Sequence, residues 1–421
     1  MSTALRLRAT ASDIEGARRL LVRDLAQVAS PAGAAVPLRG AALADVQVVE
    51  DAFVLIRGGA IESVGRMRDL APLDGPVEEI DGRGLSAIPG LVDCHTHPVW
   101  GGDRVEDFSL RAAGAGYEEL HAEGGGILST VRATRALDGA GLRARVERHA
   151  GWMLRHGTTT WEGKSGYGLD RDTELASLRS VREAGGSPTW LGAHAVPPEF
   201  EDGDAYLDFA LAEVLPEAAA VADAADVFLE RGAFDTTQAL RYLTACQEAG
   251  LALRLHGDQF SESGAVALAV ELGARSVDHL EATGAAGTRA LAASGVTGVL
   301  LPASALFLDR PMPPARALAD AGAAIALATD FNPGSSFTTS LPLVATLACT
   351  QLKLAPAEAL AAVTVNAANV LGCGADRGRI APGMRADLVL LDAPDWRYLA
   401  YHLAGDIVAA VIAGGRVAHQ R

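Results

Sequence analysis

The chain has 421 residues, of which 49% are hydrophobic and 21% are charged, a composition typical of a soluble globular protein. Its formal net charge of −16 argues against nucleic acid as a partner, because binding to phosphates requires a basic surface. No apolar run reaches the length of a membrane span, so a membrane partner is not expected. The length favours one large domain with a smaller accessory domain.

The N-terminus and the cysteines predict a cytoplasmic protein. Residues 1–24 lack the apolar segment of a secretory signal and contain acidic residues. The cysteines, at positions 94, 246, 349 and 373, are far apart and follow no disulfide or metal spacing. They are expected to be reduced thiols that are mostly buried.

Each end of the chain carries a β-hairpin pattern. Residues 52–66 alternate apolar and polar side chains around a Gly-Gly pair, and residues 407–420 repeat the pattern around a second pair. The stretch 378–392 is expected to supply return strands. We predict a small β-sandwich domain built from both termini, with residues 1–87 and 378–421 as its two parts.

Between the hairpins, short apolar runs alternate with helical stretches such as 139–155, 172–185 and 236–249. The runs are, in order, "GLSAIPGLVDCHTH", "GTTTWEGKS", "PTWLGAHAV", "ADVFLE", "LALRLHGD", "SVDHL", "TGVLLPA" and "AIALATD". Eight strand-helix units predict an α/β fold, a TIM-like (β/α)8 barrel over residues 88–377.

Polar residues cluster at the C-terminal ends of these runs, where the active site of such a barrel lies. A buried parallel strand is otherwise apolar, so these residues require a functional reason. They are His95, His97, Glu162, Lys164, His194, Glu230, His256, Asp258, His279 and Asp330.

The histidines at the strand ends predict a metal site. His95 and His97 are two apart in a strand and therefore face the same side, and imidazole is a common ligand of zinc and related ions. Any one of these residues could instead be a hydrogen-bonded strand cap, whereas the whole set favours metal. Three histidines and one carboxylate can hold a divalent ion that makes hydroxide from water near neutral pH. Asp330 is the candidate ligand and proton acceptor, and His279 the candidate that polarises a carbonyl, which predicts hydrolysis of a C–N bond.

The order of these residues along the barrel resembles the amidohydrolase superfamily, whose members join such a barrel to a β-sandwich. From about residue 85 to the C-terminus, the chain is similar to the imidazolonepropionase family of that superfamily. The motifs that carry this narrower resemblance are "CHTHPVWGGDR", "EGGGILSTVRATR", "KSGYGL", "LGAHAVPPEF", "LRLHGDQFSESGA", "DHLE" and "ATDFNPGSSFTTSLPL", while "PGLVDCHTH" and "GMRADLVLLD" resemble the first strand and the closing segment of the superfamily. The resemblance implies hydrolysis of the ring amide of 4-imidazolone-5-propanoate to N-formimidoyl-L-glutamate in histidine degradation, by a homodimer.

The same resemblance implies roles for particular residues. The implied metal ligands are His95, His97, His256 and Asp330, around one divalent ion, zinc or iron. Arg104 would hold the propionate of the substrate, and Gln259 occupies a catalytic polar position after strand 5. The other implied substrate contacts are Tyr167, His194, Asn332, Gly334 and Ser335.

Several of these positions have a plainer alternative. Arg104 suits a carboxylate because its guanidinium is a planar fork, but a solvated loop arginine is the ordinary reading. His194 could be a core histidine. Lys164 is expected to be structural or ion-paired, which leaves one metal ion. Gly163 and Leu229 depart from residues common in the family and are expected to be packing positions.

Two rival functions are less consistent with these motifs. Another amidohydrolase, a cyclic amidase or deaminase, does not account together for Arg104, Tyr167 and "GAHAVPPEF". A non-catalytic relative should have lost metal ligands, and all are present. Histidine and carboxylate ligands suit zinc and iron alike, so the ligand types do not choose between them.

Overall fold

A computed structural model describes residues 7–8, 19–33, 37–114 and 126–421. The chain divides into two compact units: the first comprises Met1–Asp93, Trp152–Thr160 and Ser340–Arg421, and the second Cys94–Gly151 and Trp161–Thr339. Domain boundaries at residues 87/88 and 377/378 stay a prediction. Most of the N-terminal stretch 1–24 and the first three residues of "EGGGILSTVRATR" lie outside the described residues.

The described strands are, in chain order, β1 Leu7–Arg8, β2 Arg19–Pro31, β3 Val46–Arg57, β4 Ala60–Arg66, β5 Glu78–Asp81, β6 Ser86–Pro89, β7 Leu91–Asp93, β8 Thr158–Lys164, β9 Ser187–Ala193, β10 Ala224–Leu229, β11 Ala252–Gly257, β12 Ser276–His279, β13 Thr297–Leu300, β14 Ala324–Leu327, β15 Leu388–Leu391, β16 Val408–Ala413 and β17 Arg416–Gln420. The described α-helices are α1 Val105–Ala112, α2 Ile127–Arg135, α3 Gly139–Arg155, α4 Arg171–Glu183, α5 Gly203–Phe209, α6 Leu215–Ala218, α7 Thr236–Glu248, α8 Ala265–Leu272, α9 Ala285–Ala292, α10 Pro302–Phe307, α11 Ala315–Asp320, α12 Leu341–Thr350, α13 Pro356–Ala362, α14 Val365–Val370 and α15 Tyr398–Tyr401. Helix α4 begins after Asp170, whose carboxylate accepts a hydrogen bond from the Thr173 N–H and so caps the helix.

The first unit contains a sheet made from both ends of the chain. Its strand order is β1-β5-β2-β6-β15-β16-β17. Outside this order, β3 pairs with β2, and β4 pairs with β3. Both predicted hairpins are confirmed, as β3–β4 and β16–β17. The stretch 378–392 contributes one described strand, β15, which pairs antiparallel with β6. Alternate apolar side chains from these strands, such as Val54, Ile61, Leu390 and Ile412, pack into one buried core.

The eight-stranded sheet places the strands in chain order from β7 to β14, and the strands pair in parallel. These strands lie in the eight predicted runs, so the predicted α/β barrel is confirmed. The first run is divided at Gly90: β6 belongs to the other sheet and β7 to this one. Near the ends of β7 and β14, the His97 N–H donates to the Phe331 carbonyl at 2.9 Å and the Asp330 N–H to the His95 carbonyl at 3.0 Å. These bonds bring the first and last strand ends of the barrel together.

Gly163 is a packing position, because a Cβ atom there would lie 2.7 and 2.8 Å from the two methyl groups of Val181. We expect Gly163→Ala to lower the free energy of unfolding by about 1–3 kcal/mol, the usual cost of overpacking a core. Urea unfolding curves measure this change. Gly151→Ala is the control: a Cβ there meets no atom within 4 Å, and alanine inside helix α3 should stabilise by about 0.5–1 kcal/mol. Equal stability of the two variants would contradict the packing argument.

Among the described residues, no helix combines the length and the apolar character needed to cross a bilayer.

Candidate metal centre and active site

Four histidines converge at the C-terminal ends of the barrel strands. His95 and His97 follow β7, His256 lies in β11, and His279 is the last residue of β12. The ring centroids of His95 and His256 are 4.5 Å apart, and those of His256 and His279 are 5.4 Å apart. All four side chains are buried. The predicted convergence of these strand ends is therefore present in the structure.

The metal-ligating atoms of this cluster face one another. The His97 Nε2 lies 3.3 Å from the Nε2 atoms of both His95 and His256. Asp330 Oδ1 lies 3.5 Å from the Nε2 atoms of His95 and His97. Two overlapping groups, one of His95, His97 and His256 and one of His95, His279 and Asp330, each have ligand atoms within 4.8 Å of one another.

Carboxylates behind the imidazoles fix which nitrogen faces the centre. Asp278 Oδ2 lies 2.6 Å from His95 Nδ1, and Asp226 Oδ2 lies 3.1 Å from His256 Nδ1. A carboxylate accepts a proton donor, so each Nδ1 carries the hydrogen and each Nε2 turns a lone pair inward. The Asp330 carboxylate also faces this centre, 3.5 Å from the His95 Nε2, and such a set of electron-pair donors is stabilised by a cation among them. The residues present therefore fit a divalent metal ion.

The protonation states of these histidines suit metal binding. Burial lowers the pKa of His95 and of His97 well below the usual value. Burial also lowers the pKa of His256, to about 4, although Asp226 opposes the change. Neutral imidazole is the form that ligates a metal. The three side chains are thus in the ligating form at neutral pH.

His279 and Asp330 differ from the other members of the cluster. Burial opposes the charge on His279, but the carboxylates of Glu281, 3.5 Å from His279 Nδ1, and of Asp330 and Asp278 together outweigh burial and raise the pKa of His279. Burial raises the pKa of Asp330. Both residues have positive φ angles, +82° and +53°, which non-glycine residues adopt at a cost of order 1–3 kcal/mol. Such strain is typical of functional positions.

A buried set of charged side chains supports the carboxylates behind the histidines. The ammonium of Lys164 lies 2.7 Å from Asp226 and 2.9 Å from Glu162, and 3.8 Å from Asp278. Arg254 also pairs with Glu162. Lys164 is thus ion-paired, as expected. The sequence interpretation missed the roles of Asp226, Asp278 and Arg254, although a charged residue inside an apolar strand run was the available signal.

One pocket is lined by four members of the cluster, His97, His256, His279 and Asp330, together with the predicted substrate contacts. Its lining residues are His97, Arg104, Arg111, Gly126, Ile127, Tyr167, His194, Phe228, His256, Gln259, Phe260, His279, Leu308, Asp330, Asn332, Gly334 and Ser335. The predicted residues Arg104, Tyr167, His194 and Gln259 all reach this pocket from different strand-to-helix connections. The sequence interpretation did not identify Arg111, Phe228 and Phe260, because nothing in their local sequence distinguishes them from ordinary loop or strand residues.

The Arg104 side chain is fixed by contacts with its neighbours, and only 10% of it is exposed. Its Nε donates to the Asp107 carboxylate, which also accepts from the Gly126 N–H at 3.2 Å. A Cβ atom on Gly334 would lie 3.2 Å from Arg104 Nη1, so the guanidinium lies directly against that glycine. These contacts place Arg104 in the pocket wall and not in solvent.

The loop after β14 is organised by its own side chains. Asn332 Oδ1 accepts from the N–H groups of Gly334 and Ser335, both at 2.8 Å. Asn332 Nδ2 donates to the Asp330 carbonyl at 2.6 Å and to Ser335 Oγ at 2.7 Å. Ser335 Oγ in turn lies 3.3 Å from Asp330 Oδ2. Asn332 thus uses both amide atoms within the loop, and its contact with substrate stays a prediction.

His194 and Tyr167 lie beside the metal-ligating cluster. The ring centroid of His194 is 5.2 Å from that of Tyr167 and 5.8 Å from that of His97. His194 Nδ1 lies 2.8 Å from the Gly166 carbonyl and therefore donates to it, which leaves Nε2 as an acceptor. Burial lowers the pKa of His194 to about 4, so the ring is neutral. His194 is a pocket residue that is also hydrogen-bonded.

The fold agrees with comparisons to known proteins. The amidohydrolase family model matches residues 86–418. Two solved structures with the same fold are the guanine deaminase of E. coli, with a TM-score of 0.71, 15% identity and coverage of 96% of this chain and 99% of that chain, and a zinc-bound adenosine deaminase of Xanthomonas campestris, with a TM-score of 0.67, 20% identity and coverage of 94% and 92%. The chain belongs to the amidohydrolase family.

More similar relatives narrow the family. An imidazolonepropionase of Rubrobacter xylanophilus is 60% identical over 94% of this chain and 97% of the relative. An imidazolonepropionase of Chloroflexus aggregans is 46% identical over 94% of this chain and 98% of the relative. Within the amidohydrolases, the chain belongs to the imidazolonepropionases.

Proposed function

We propose that this protein hydrolyses the ring amide of 4-imidazolone-5-propanoate to N-formimidoyl-L-glutamate. Water gives its hydroxyl to the ring carbonyl carbon, the C–N bond breaks, and the released nitrogen takes a proton. The observation that carries the proposal is that one pocket is lined both by His97, His256, His279 and Asp330 of the ligand cluster and by Arg104, a cation suited to the propionate. The identity to imidazolonepropionases supports the same substrate.

The metal of this site would be held by His95, His97, His256 and Asp330. One divalent ion, zinc or iron, fits these nitrogen and oxygen ligands. When bound, such an ion supplies Lewis acidity and lowers the pKa of water to about 7.

Asp330 would transfer the proton in this reaction, and His279 would stabilise the negative charge that develops on the carbonyl oxygen. Burial raises the pKa of Asp330, which makes its carboxylate a better acceptor of the proton lost by the attacking water. Asp330 would then return that proton to the ring nitrogen. His279, whose pKa is raised by the neighbouring carboxylates against the effect of burial, would donate a hydrogen bond to the carbonyl oxygen as negative charge develops there.

The remaining pocket residues would orient the substrate. Arg104 would bind the propionate through its guanidinium. Tyr167, His194 and Gln259 would contact the ring, and the loop residues Asn332, Gly334 and Ser335 would shape its polar edge. Held in this way, the ring carbonyl faces the attacking water.

The protein is further proposed to act as a homodimer in the cytoplasm, with a small molecule as its substrate and without nucleic acid. The family resemblance supports the dimer, and the net charge of −16 disfavours nucleic acid. Sedimentation velocity of the purified chain tests the dimer, and a monomer at micromolar concentration would contradict it.

The activity is tested with freshly made imidazolone propionate. Loss of the ultraviolet absorbance of the ring is followed before and after treatment of the protein with a chelator. We expect rapid loss that chelation abolishes and that added zinc or iron restores. Turnover of a guanine or adenosine substrate in place of imidazolone propionate would favour a deaminase.

The metal content of the protein is a separate prediction. Because Lys164 is occupied by Glu162 and Asp226, it is not available to bridge two ions, and we expect one zinc or iron ion per chain. Elemental analysis of the purified protein, with the concentration taken from amino-acid analysis, measures this ratio. A His256→Ala variant is expected to hold less than a tenth of an equivalent. Two ions per chain in the wild type would contradict the prediction.

A further inference from the structure

Glu174 is a buried carboxylate that the proposed mechanism does not use. It lies in the first turn of helix α4, and the residue is 1% exposed. A carboxylate this deeply buried is costly unless hydrogen bonds satisfy it. Its Oε1 accepts from the N–H groups of Gly166, Gly168 and Leu169 at 3.0, 2.8 and 3.0 Å. Glu174 thus accepts from three amides on both sides of Tyr167 in the connection between β8 and α4.

The local geometry explains why Glu174 reaches this loop. Side chains in a helix tilt toward its N-terminus, so a glutamate in the first turn points back over the preceding connection. Two glycines allow the close approach. A Cβ atom on Gly168 would lie 2.8 Å from Glu174 Oε1, and a Cβ atom on Gly166 would lie 2.8 Å from the Leu191 carbonyl oxygen. The loop and the carboxylate therefore fit together only with small residues at these positions.

The loop held by Glu174 carries two residues of the pocket. Tyr167 stands between the two glycines, and its ring lines the pocket. The carbonyl of Gly166 accepts from His194 Nδ1 at 2.8 Å and so fixes the orientation of that imidazole. One buried carboxylate therefore determines the position of a tyrosine directly and of a histidine through one carbonyl.

We propose that Glu174 is a positioning residue that holds Tyr167 and His194 in place for binding of the substrate ring. This proposal rests on the proposed function, since it assigns both side chains to the ring of the substrate. Glu174 itself does not touch the substrate. Its effect is expected in KM, because it acts on binding contacts and not on the residues that move protons.

The main test is Glu174→Gln, which keeps the size of the side chain but replaces the charged acceptor of the loop amides by a neutral one and places an NH2 group against the Gly166 N–H, which lies 3.1 Å from Oε2. We expect KM to rise about tenfold with kcat within about threefold, because a small displacement of binding groups weakens contact with the ring. The metal content should not change. Glu358→Gln is the control, since Glu358 is also buried and accepts a backbone N–H, from Ala355 at 2.7 Å, in the other compact unit. This control should lose thermal stability without a change in KM.

A second variant separates positioning from general structural support. In combination with Tyr167→Phe, Glu174→Gln should raise KM by less than the product of the two single effects, because part of the contribution of Glu174 is made through Tyr167. Effects on KM that multiply would overturn the proposal, as would a Glu174→Gln protein with wild-type KM. If Glu174→Gln does not fold, Glu174→Asp takes its place. The shorter carboxylate should give an intermediate KM, and a wild-type KM would again overturn the proposal.

Two measurements decide the proposal without turnover. Hydrogen exchange of the Gly166, Gly168 and Leu169 amides should be at least tenfold faster in Glu174→Gln, and unchanged exchange would overturn the proposal. Calorimetric binding of imidazole-4-propanoate, a ring that cannot be hydrolysed, should weaken about tenfold. If the wild type failed to hydrolyse imidazolone propionate, the proposed function would fail, while the exchange rates would still show whether Glu174 holds the loop.

Discussion

Replacing Asp330 with asparagine is expected to lower kcat/KM about a thousandfold, within the range usual for loss of a general acid–base group. The amide keeps the shape of the side chain but cannot accept the proton from water, and it removes one anionic ligand from the cluster. Most of the loss should appear in kcat. Steady-state kinetics with imidazolone propionate, together with elemental analysis, measure the two consequences separately.

The matched control is Asp258→Asn. Asp258 is buried like Asp330, follows a barrel strand and has the same φ angle of +53°. Its carboxylate accepts from the Ser263 N–H at 2.9 Å and from the Thr283 hydroxyl at 2.8 Å, so its bonds stay within the surrounding loops. We expect this variant to lose stability and to keep kcat within about tenfold of the wild type. Equal losses in the two variants would show that Asp330 has no special role in the reaction.

Replacing Arg104 with alanine is expected to raise KM by about 10- to 150-fold, because it removes a charge-assisted contact worth about 1.5–3 kcal/mol. The contact that is lost is one with the propionate carboxylate of the substrate. A substrate analogue whose propionate is replaced by the neutral propanamide should therefore bind the wild type and the variant almost equally. Competition assays with both compounds measure this difference.

Arg143→Ala is the control for Arg104. Arg143 is an exposed arginine that pairs with Glu183 on the surface, and exposed ion pairs contribute little. Its loss should leave KM unchanged. An unchanged KM in Arg104→Ala would remove Arg104 from the substrate site, and an equal loss of affinity for the propanamide would assign it a structural role.

The eight barrel strands could be predicted because short apolar runs alternate with helical stretches. Seven of these runs end in polar residues, and parallel strands bring those ends to one edge. This arrangement explains why the structure brings together His95, His97, His256 and Asp330. The two hairpins could be predicted from alternation around paired glycines. The division of the first run at Gly90 was missed, since an apolar run does not reveal that it serves two sheets.

The charged side chains that contact the candidate metal ligands from behind could not be predicted. Their positions depend on which strands are neighbours and on the register between them. Asp278 stands opposite His256 across the β11–β12 ladder, yet its carboxylate meets His95, which is 183 residues away in the chain. Similarly, Lys164 pairs with Asp226, which lies 62 residues away in the chain. For Asn332, the motif predicted a contact with substrate, but the structure shows its side-chain amide hydrogen-bonded within its own loop.

The most direct test of the central claim is hydrolysis of imidazolone propionate in water enriched with oxygen-18, with the product analysed by mass spectrometry. We expect N-formimidoyl-L-glutamate carrying one oxygen-18 atom in the newly formed carboxylate. The label should be absent with protein stripped of metal and should return when one equivalent of zinc or iron is restored. Formation of ammonia with the ring intact, or labelling at the same rate by stripped protein, would contradict metal-dependent opening of the ring amide at this site.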